Sequence, residues 1–252
     1  MPMRLSLIFG NKDTEVADDL PNASPGRGQI THGLEANALL QRTFEFLRGE
    51  LSAWRDRPDR RAEQSEERLN AQLCKHLNSR ARFDMPMVQF HHEEKQTEVR
   101  RVDISAGLSE GGFIGSTYHS IDDPFLVVEG KRLPTPGGKS RQREYVTGGD
   151  AKTGGIQRFK LGLHGSQFET AAMVGYIQKG KLGVWHNRIN QWICDLSEGL
   201  PLGEERWSAK EQLTEFSEDS VGRTSMSVSS HSRTGKTKTP KIRLQHLWVE
   251  MS

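Results

Sequence analysis

Apolar side chains recur along this chain in two rhythms. Between residues 33 and 54 they follow a helical period: Leu34, Leu39, Leu40, Phe44, Leu47, Leu51 and Trp54 form one stripe. Arg55-Asp56-Arg57-Pro58 breaks it, and a second helix is predicted over about 59–78, with Leu69, Leu73 and Leu77 on one face. The rhythm then shortens. Met87–His91 reads as a first strand, 93–99 as a charged turn, and the segment around Val102 and Ile104 as a second strand. Glycine-rich 105–123 reads as a hairpin or loop. In 124–133, Phe125-Leu126-Val127-Val128 is an unbroken apolar run, the signature of a strand buried on both faces. A glycine turn leads into a helix bearing Ile156, Phe159 and Leu161. Ala171–Ile177 is a further buried strand, and a helix over about 181–195 carries Leu182, Trp185, Ile189, Trp192 and Ile193. Residues 196–220 are polar, and two β-like pieces, 222–232 and 241–250, predict a hairpin added to a sheet edge. Residues 11–32 read as an irregular arm.

The dry strand ends in charge. Glu129 and Lys131 lie two apart, so strand alternation puts both on one face. Buried there, they need partners or a metal; a strand-end ion pair is the plain reading. Asp103, between Val102 and Ile104, can reach Glu129 if the two strands are neighbours. Two close carboxylates repel unless a cation intervenes, and hard oxygen ligands suit Mg²⁺.

An acidic residue on one strand followed by Glu-x-Lys on the next resembles the PD-(D/E)xK nuclease superfamily. The residues that carry the likeness are Asp103 and Glu129-Gly130-Lys131. Two other acidic-x-Lys triplets, Glu93-Glu94-Lys95 and Asp150-Ala151-Lys152, close no apolar strand. The superfamily's proline before the first acid is absent, since Val102 stands there.

The resemblance implies an α/β, restriction-endonuclease-like three-layer core: a central mixed four-stranded sheet (αβββαβ) flanked by helices over 59–195. An N-terminal arm and helix (1–58) and a C-terminal extension with a β-hairpin (196–252) flank it. It implies a Mg²⁺ (or Mn²⁺) ion on Asp103, Glu129 and the Gly130 carbonyl, with Lys131 orienting water or stabilising developing charge. On the same grounds Glu66, or its neighbour Glu67, comes from the first core helix, although a solvated charge at a helix start is an equal reading. Gln157 either approaches the metal or is a surface glutamine. The implied activity is endonucleolytic hydrolysis of DNA, double-stranded by expectation, in restriction, anti-phage defence or repair, by a homodimer or within a larger complex. The competing class is a silent nuclease-fold module that binds DNA or assembles a complex.

Net charge is +2 over 252 residues, so no global attraction to nucleic acid follows. Its distribution says more: from Lys131 to Lys160 there are eight basic residues against Glu144 and Asp150. Backbone phosphates are therefore expected along Arg132, Lys139, Arg141, Arg143, Lys152, Arg158 and Lys160. Arg233–Arg243 is a second basic run, with a solvated loop the equal alternative. Cys74 and Cys194, the only cysteines, fall among apolar neighbours and predict buried free thiols in a reducing cytoplasm. No window approaches the ~18 apolar residues of a membrane span. His91-His92 point opposite ways on a strand and lack zinc spacing. Gly154-Gly155 has no following Gly-Lys-Ser/Thr, which argues against nucleotide-driven work.

Overall fold

The computed structural model describes residues 34–63, 65–97, 100–138, 141–199 and 206–252. Helix α1 spans Ala36–Arg55 and buries Leu39, Phe44, Leu47, Leu51 and Trp54, the stripe read from the sequence. Helix α2 spans Glu66–Asp84 and buries Leu69, Leu73 and Leu77. Both lie over one face of a sheet. Leu126, Val128, Ala172, Val174, Tyr176, Leu247 and Val249 from the strands join their apolar cluster. Val127, Ala171, Met173, Ile177, Leu244 and Trp248 point the other way, into a second cluster with α3 (Gly155–Lys160) and α4 (Leu182–Glu198). The period-two alternation of three central strands thus divides the core into two apolar layers.

The strands are β1 (Val88–Thr97), β2 (Arg100–Leu108), β3 (Gly112–Ile114), β4 (Thr117–His119), β5 (Pro124–Leu133), β6 (Thr170–Ile177), β7 (Thr214–Asp219), β8 (Thr224–Ser232) and β9 (Lys241–Glu250). The main sheet is mixed, in the order β1-β2-β5-β6-β9-β8-β7, and β3-β4 form a separate hairpin within the glycine-rich stretch. β5 pairs parallel with β6, and β6 parallel with β9; the remaining neighbours are antiparallel.

The chain is therefore α/β with helices flanking a mixed sheet, but among the described residues the sheet has seven strands rather than four. The difference lies at the C-terminal side: the expected hairpin joins the sheet through β9, and polar 214–219 adds one more strand. A second difference is β1, which runs to Thr97 through the expected turn because Glu94 and Lys95 pair with Val102 and Arg101. Of the predicted segments, the arm over 11–32 lies outside the described residues. Among the described residues no helix is long and apolar enough to cross a membrane.

Candidate active site at the end of β5

Pairing between β2 and β5 stops at the rung joining Ile104 to Val128, one residue short of Asp103 and Glu129. Beyond that rung the N–H groups on this edge of β5 turn to carboxylates. Gly130 N–H donates to Asp103 Oδ2 (2.8 Å), and Arg132 N–H donates to Glu66 Oε2 (3.0 Å). Glu66 opens the first turn of α2, and its other oxygen accepts from Lys131 Nζ at 2.7 Å. Lys131 Nζ also lies 3.1 Å from Glu129 Oε1. One ammonium therefore bridges the carboxylates of the helix and the strand. Glu67 is exposed, which decides between the two rivals in favour of Glu66 as the residue that reaches this site.

Glu129 is fully buried. Its Oε1 accepts from Arg158 Nη1 at 2.8 Å, and its Oε2 lies 3.0 Å from His164 Nδ1, at ion-pair distance but without hydrogen-bond alignment. Burial alone would raise this carboxyl; Lys131, then His164 and Arg158, outweigh it and hold the group below the ordinary carboxylate range. Asp103 goes the other way. Burial first, then the charge of Glu129, push it up to about 8, against the pull of Lys131 and the Gly130 N–H. For Lys131, burial opposes the charge, yet Glu129, Glu66 and Asp103 more than compensate, so the ammonium persists above its usual range. The two carboxyl groups are thus driven in opposite directions by their surroundings.

Close packing fixes these groups. A methyl at Gly130 would meet Asn70 Oδ1 at 2.0 Å, and that oxygen is held by the Tyr176 hydroxyl at 2.7 Å. At Gly155 a methyl would strike Met173 Cε at 2.4 Å and come within 3.5 Å of Lys131 Cγ. The start of α3 thus lies against the lysine stem. Beside Glu129 opens a cleft of about 400 Å³, lined by Arg101, Lys152, Thr153, Arg158, Leu163 and His164.

The other expected residues have separate fates. Gln157 holds the loop before α3: its Oε1 accepts from Gly148 N–H (2.9 Å) and Gly154 N–H (3.3 Å), and its Nε2 donates to Gly149 O (2.9 Å). Arg141 pairs with Glu144 and Arg143 with Asp195 on the surface. Arg132 is half-buried, and Lys139 lies outside the described residues. Lys160 requires a correction. It is 0% exposed, bonded at 2.7 Å to both oxygens of Glu211 and lying 4.7 Å from the centre of the Trp207 ring, so it meets no phosphate. Cys74 is buried as expected, whereas Cys194 is only half-buried.

No motif announced a second constellation, a buried polar chain behind Lys160. Trp248 Nε1 donates to Tyr145 Oη at 2.8 Å, leaving the phenol proton for His246 Nδ1, also at 2.8 Å. A neutral His246 then carries its proton on Nε2, toward Ser229 Oγ at 2.7 Å. Ser229 in turn donates to His231 Nε2 at 2.6 Å, and His231 Nδ1 faces Glu211 Oε2 at 3.5 Å. Burial lowers both imidazoles and favours this neutral arrangement. The Ser-His-Glu order has the partners of a nucleophilic triad, but all three are buried, so they serve as a polar core.

For a metal, Asp103, Glu129 and the Gly130 carbonyl offer hard oxygen donors. Among the described residues no group of three or more His, Cys, Asp or Glu side chains converges on one point. Mg²⁺ needs only one or two protein carboxylates, with water and phosphate completing its shell. A cation at Asp103 would offset the burial, and after it the charge of Glu129, that raise this carboxyl. No protein-family model, no curated protein and no solved structure matches this chain, so its functional reading rests on the geometry just described.

Proposed function

We propose that the protein is a Mg²⁺-dependent nuclease of the PD-(D/E)xK type that hydrolyses phosphodiester bonds in DNA. The single observation that carries this reading is the meeting of Asp103, Glu129 and Lys131 at the point where β2 and β5 stop pairing. Asp103 and Glu129, with the Gly130 carbonyl, would hold the ion, which would supply Lewis acidity for a phosphoryl oxygen and for water. Lys131 stays protonated between its carboxylates. It orients the water and stabilises the negative charge that develops on phosphorus oxygens, where a fixed cation contributes most. Glu66 positions Lys131 from the helix side. Arg101, Lys152 and Arg158 line the adjoining cleft and suit the flanking phosphates. Restriction or defence against foreign DNA is the biological setting this chemistry suggests.

One observation favours a second reading, a silent nuclease-fold module that binds DNA. Glu129 is already compensated by Lys131, Arg158 and His164 from the chain itself. Plasmid cleavage separates the two. The nuclease reading expects cutting with Mg²⁺ or Mn²⁺, loss with EDTA, and loss in Asp103→Ala and Lys131→Ala that remain folded. Linear, nicked, methylated and single-stranded substrates then define the preference. DNA binding without metal-dependent cutting of any of these substrates establishes the silent module.

A further inference from the structure

Both oxygens of Glu129 are taken. Oε1 accepts from Arg158 Nη1 at 2.8 Å and lies 3.1 Å from Lys131 Nζ. Oε2 lies 3.0 Å from His164 Nδ1 and is closed to solvent. The side chain as a whole is 1% exposed. A carboxylate covered in this way has no oxygen to offer an ion arriving from water. One of its three partners has to move first.

The three differ in their freedom to do so. Lys131 is 5% exposed and anchored from the helix side by Glu66 Oε1 at 2.7 Å. His164 is also 5% exposed, and its ring stands edge-on to that of Phe159. Arg158 is 28% exposed and lines the cleft beside Glu129. Its backbone is fixed: its N–H donates to Gly154 O at 2.9 Å, and its carbonyl accepts from Leu163 N–H at 2.8 Å. The guanidinium alone is left to swing.

Nothing in the cleft replaces the partner it would leave. The described lining includes two further basic side chains, Arg101 and Lys152, and no acidic one. A guanidinium that quits a buried carboxylate without a new anion forfeits a strong charge-assisted bond and leaves the carboxylate less compensated. A phosphate in the cleft changes the balance, because its oxygens fit the guanidinium fork two at a time.

We propose that Arg158 is a latch that makes ion binding at Glu129 conditional on a phosphodiester in the cleft. The phosphate draws the guanidinium off Glu129, and the place vacated on Oε1 becomes open to the divalent ion. The identity of the anion and of the ion rests on the nuclease reading; the closure of Glu129 does not. Arg158 thereby couples the two ligands, and by linkage each raises the affinity for the other by the same factor. Without DNA the site is held nearly empty of metal.

The test is calorimetric titration of the full chain with Ca²⁺, with and without a short DNA duplex. Ca²⁺ takes the same hard oxygens as Mg²⁺ but is larger and acidifies its water less, so the duplex survives the titration. Wild type is expected to bind Ca²⁺ at least tenfold more tightly with the duplex than without it. Without DNA, Arg158→Gln binds Ca²⁺ at least tenfold more tightly than wild type, the order of one charged hydrogen bond, and the effect of the duplex shrinks. Arg158→Lys keeps a cation that pairs with Glu129 and stays near wild type. A readout on wild type needs no stable variant: the Arg158 Nε–H resonance shifts when the duplex is added in EDTA.

Equal Ca²⁺ affinity without DNA in wild type and folded Arg158→Gln overturns the latch and leaves the nuclease reading standing, as does an Arg158 resonance that the duplex does not move. Ca²⁺ binding that persists in Asp103→Ala puts the ion elsewhere and also overturns it. Failure of every protein to bind Ca²⁺, with or without duplex, overturns latch and nuclease together. Tighter binding in Arg158→Gln with no plasmid cutting by wild type keeps the latch and removes the nuclease.

Discussion

Lys131 Nζ and Glu66 Oε1 are 2.7 Å apart, which ties the end of a central strand to the first turn of a helix 65 residues earlier. The ammonium is buried and also serves Glu129, so its loss leaves two carboxylates short of a cation. Lys131→Met is expected to cost about 3 kcal/mol in urea unfolding, in the range for breaking a buried pair. Glu66→Gln, at a partly exposed residue, costs about 1 kcal/mol. The double variant falls short of the sum. Strict additivity in this cycle means the contact does not couple the two elements.

Asp103→Asn tests the like-charge pair. The folded carboxyl is raised, so its favourable contribution is complete below the ordinary aspartate value of about 3.9. It is lost as pH rises toward about 8. Asparagine keeps an acceptor for the Gly130 N–H but never ionises. In EDTA the variant should therefore match the wild type near pH 4 and unfold at a higher temperature near pH 8. Added Mg²⁺ should narrow the gap at pH 8 by stabilising only the wild type. A difference that does not vary with pH removes the argument for a strained carboxylate.

Gly130→Ala brings a methyl to 2.0 Å from Asn70 Oδ1, which cannot swing away without giving up the Tyr176 hydroxyl. Overpacking of this kind costs about 1–3 kcal/mol. Pairing it with Asn70→Ala removes the obstructing amide, so the second substitution costs less in the variant than in the wild type. Denaturant midpoints of the four proteins decide it. Equal costs in both backgrounds would show that the clash relaxes elsewhere.

His246 and His231 give the protein an acid limit. His246 faces Tyr145 and Ser229, with His231 and His186 as like charges; His231 faces Ser229, Glu211 and Lys160. Both are held below the ordinary histidine value by burial, so the unfolded chain binds protons that the folded chain refuses. Their contribution is complete above about pH 6.5 and is lost below it, at up to about 1.4 kcal/mol per pH unit for each imidazole. His246→Gln should flatten the slope of unfolding free energy between pH 7 and 5 by about one proton. An unchanged slope means His246 does not titrate on unfolding.

What the sequence made legible was local. Phe125–Val128 announced a two-faced strand, and the stripes of α1 and α2 announced their buried sides, because period and composition are written over a few neighbouring residues. Asp103 and Glu129 could be matched because one lies within a short β-like segment, between Val102 and Ile104, and the other ends the apolar run Phe125–Val128. Arg158, on α3, and His164, just beyond it, both reach Glu129 but left no such trace, since neither follows a period that points to β5. Lys160 misled for the same reason: its partner Glu211 lies 51 residues on, and a basic run gives no sign of which member is covered. The polar strand β7 has exposed or half-buried positions throughout, so no apolar rhythm marked it.

The position of β9 between β6 and β8 bears on how the chain is made. β6 emerges from the ribosome with β5 available on one side, while the neighbour for its other side lies in 241–250, more than sixty residues later. During that interval an apolar strand bound for the middle of the sheet has a bare edge, the kind of surface that recruits other chains. Ribosome-stalled fragments ending before residue 241 should therefore bind holdase chaperones, and release should follow synthesis of the last strand.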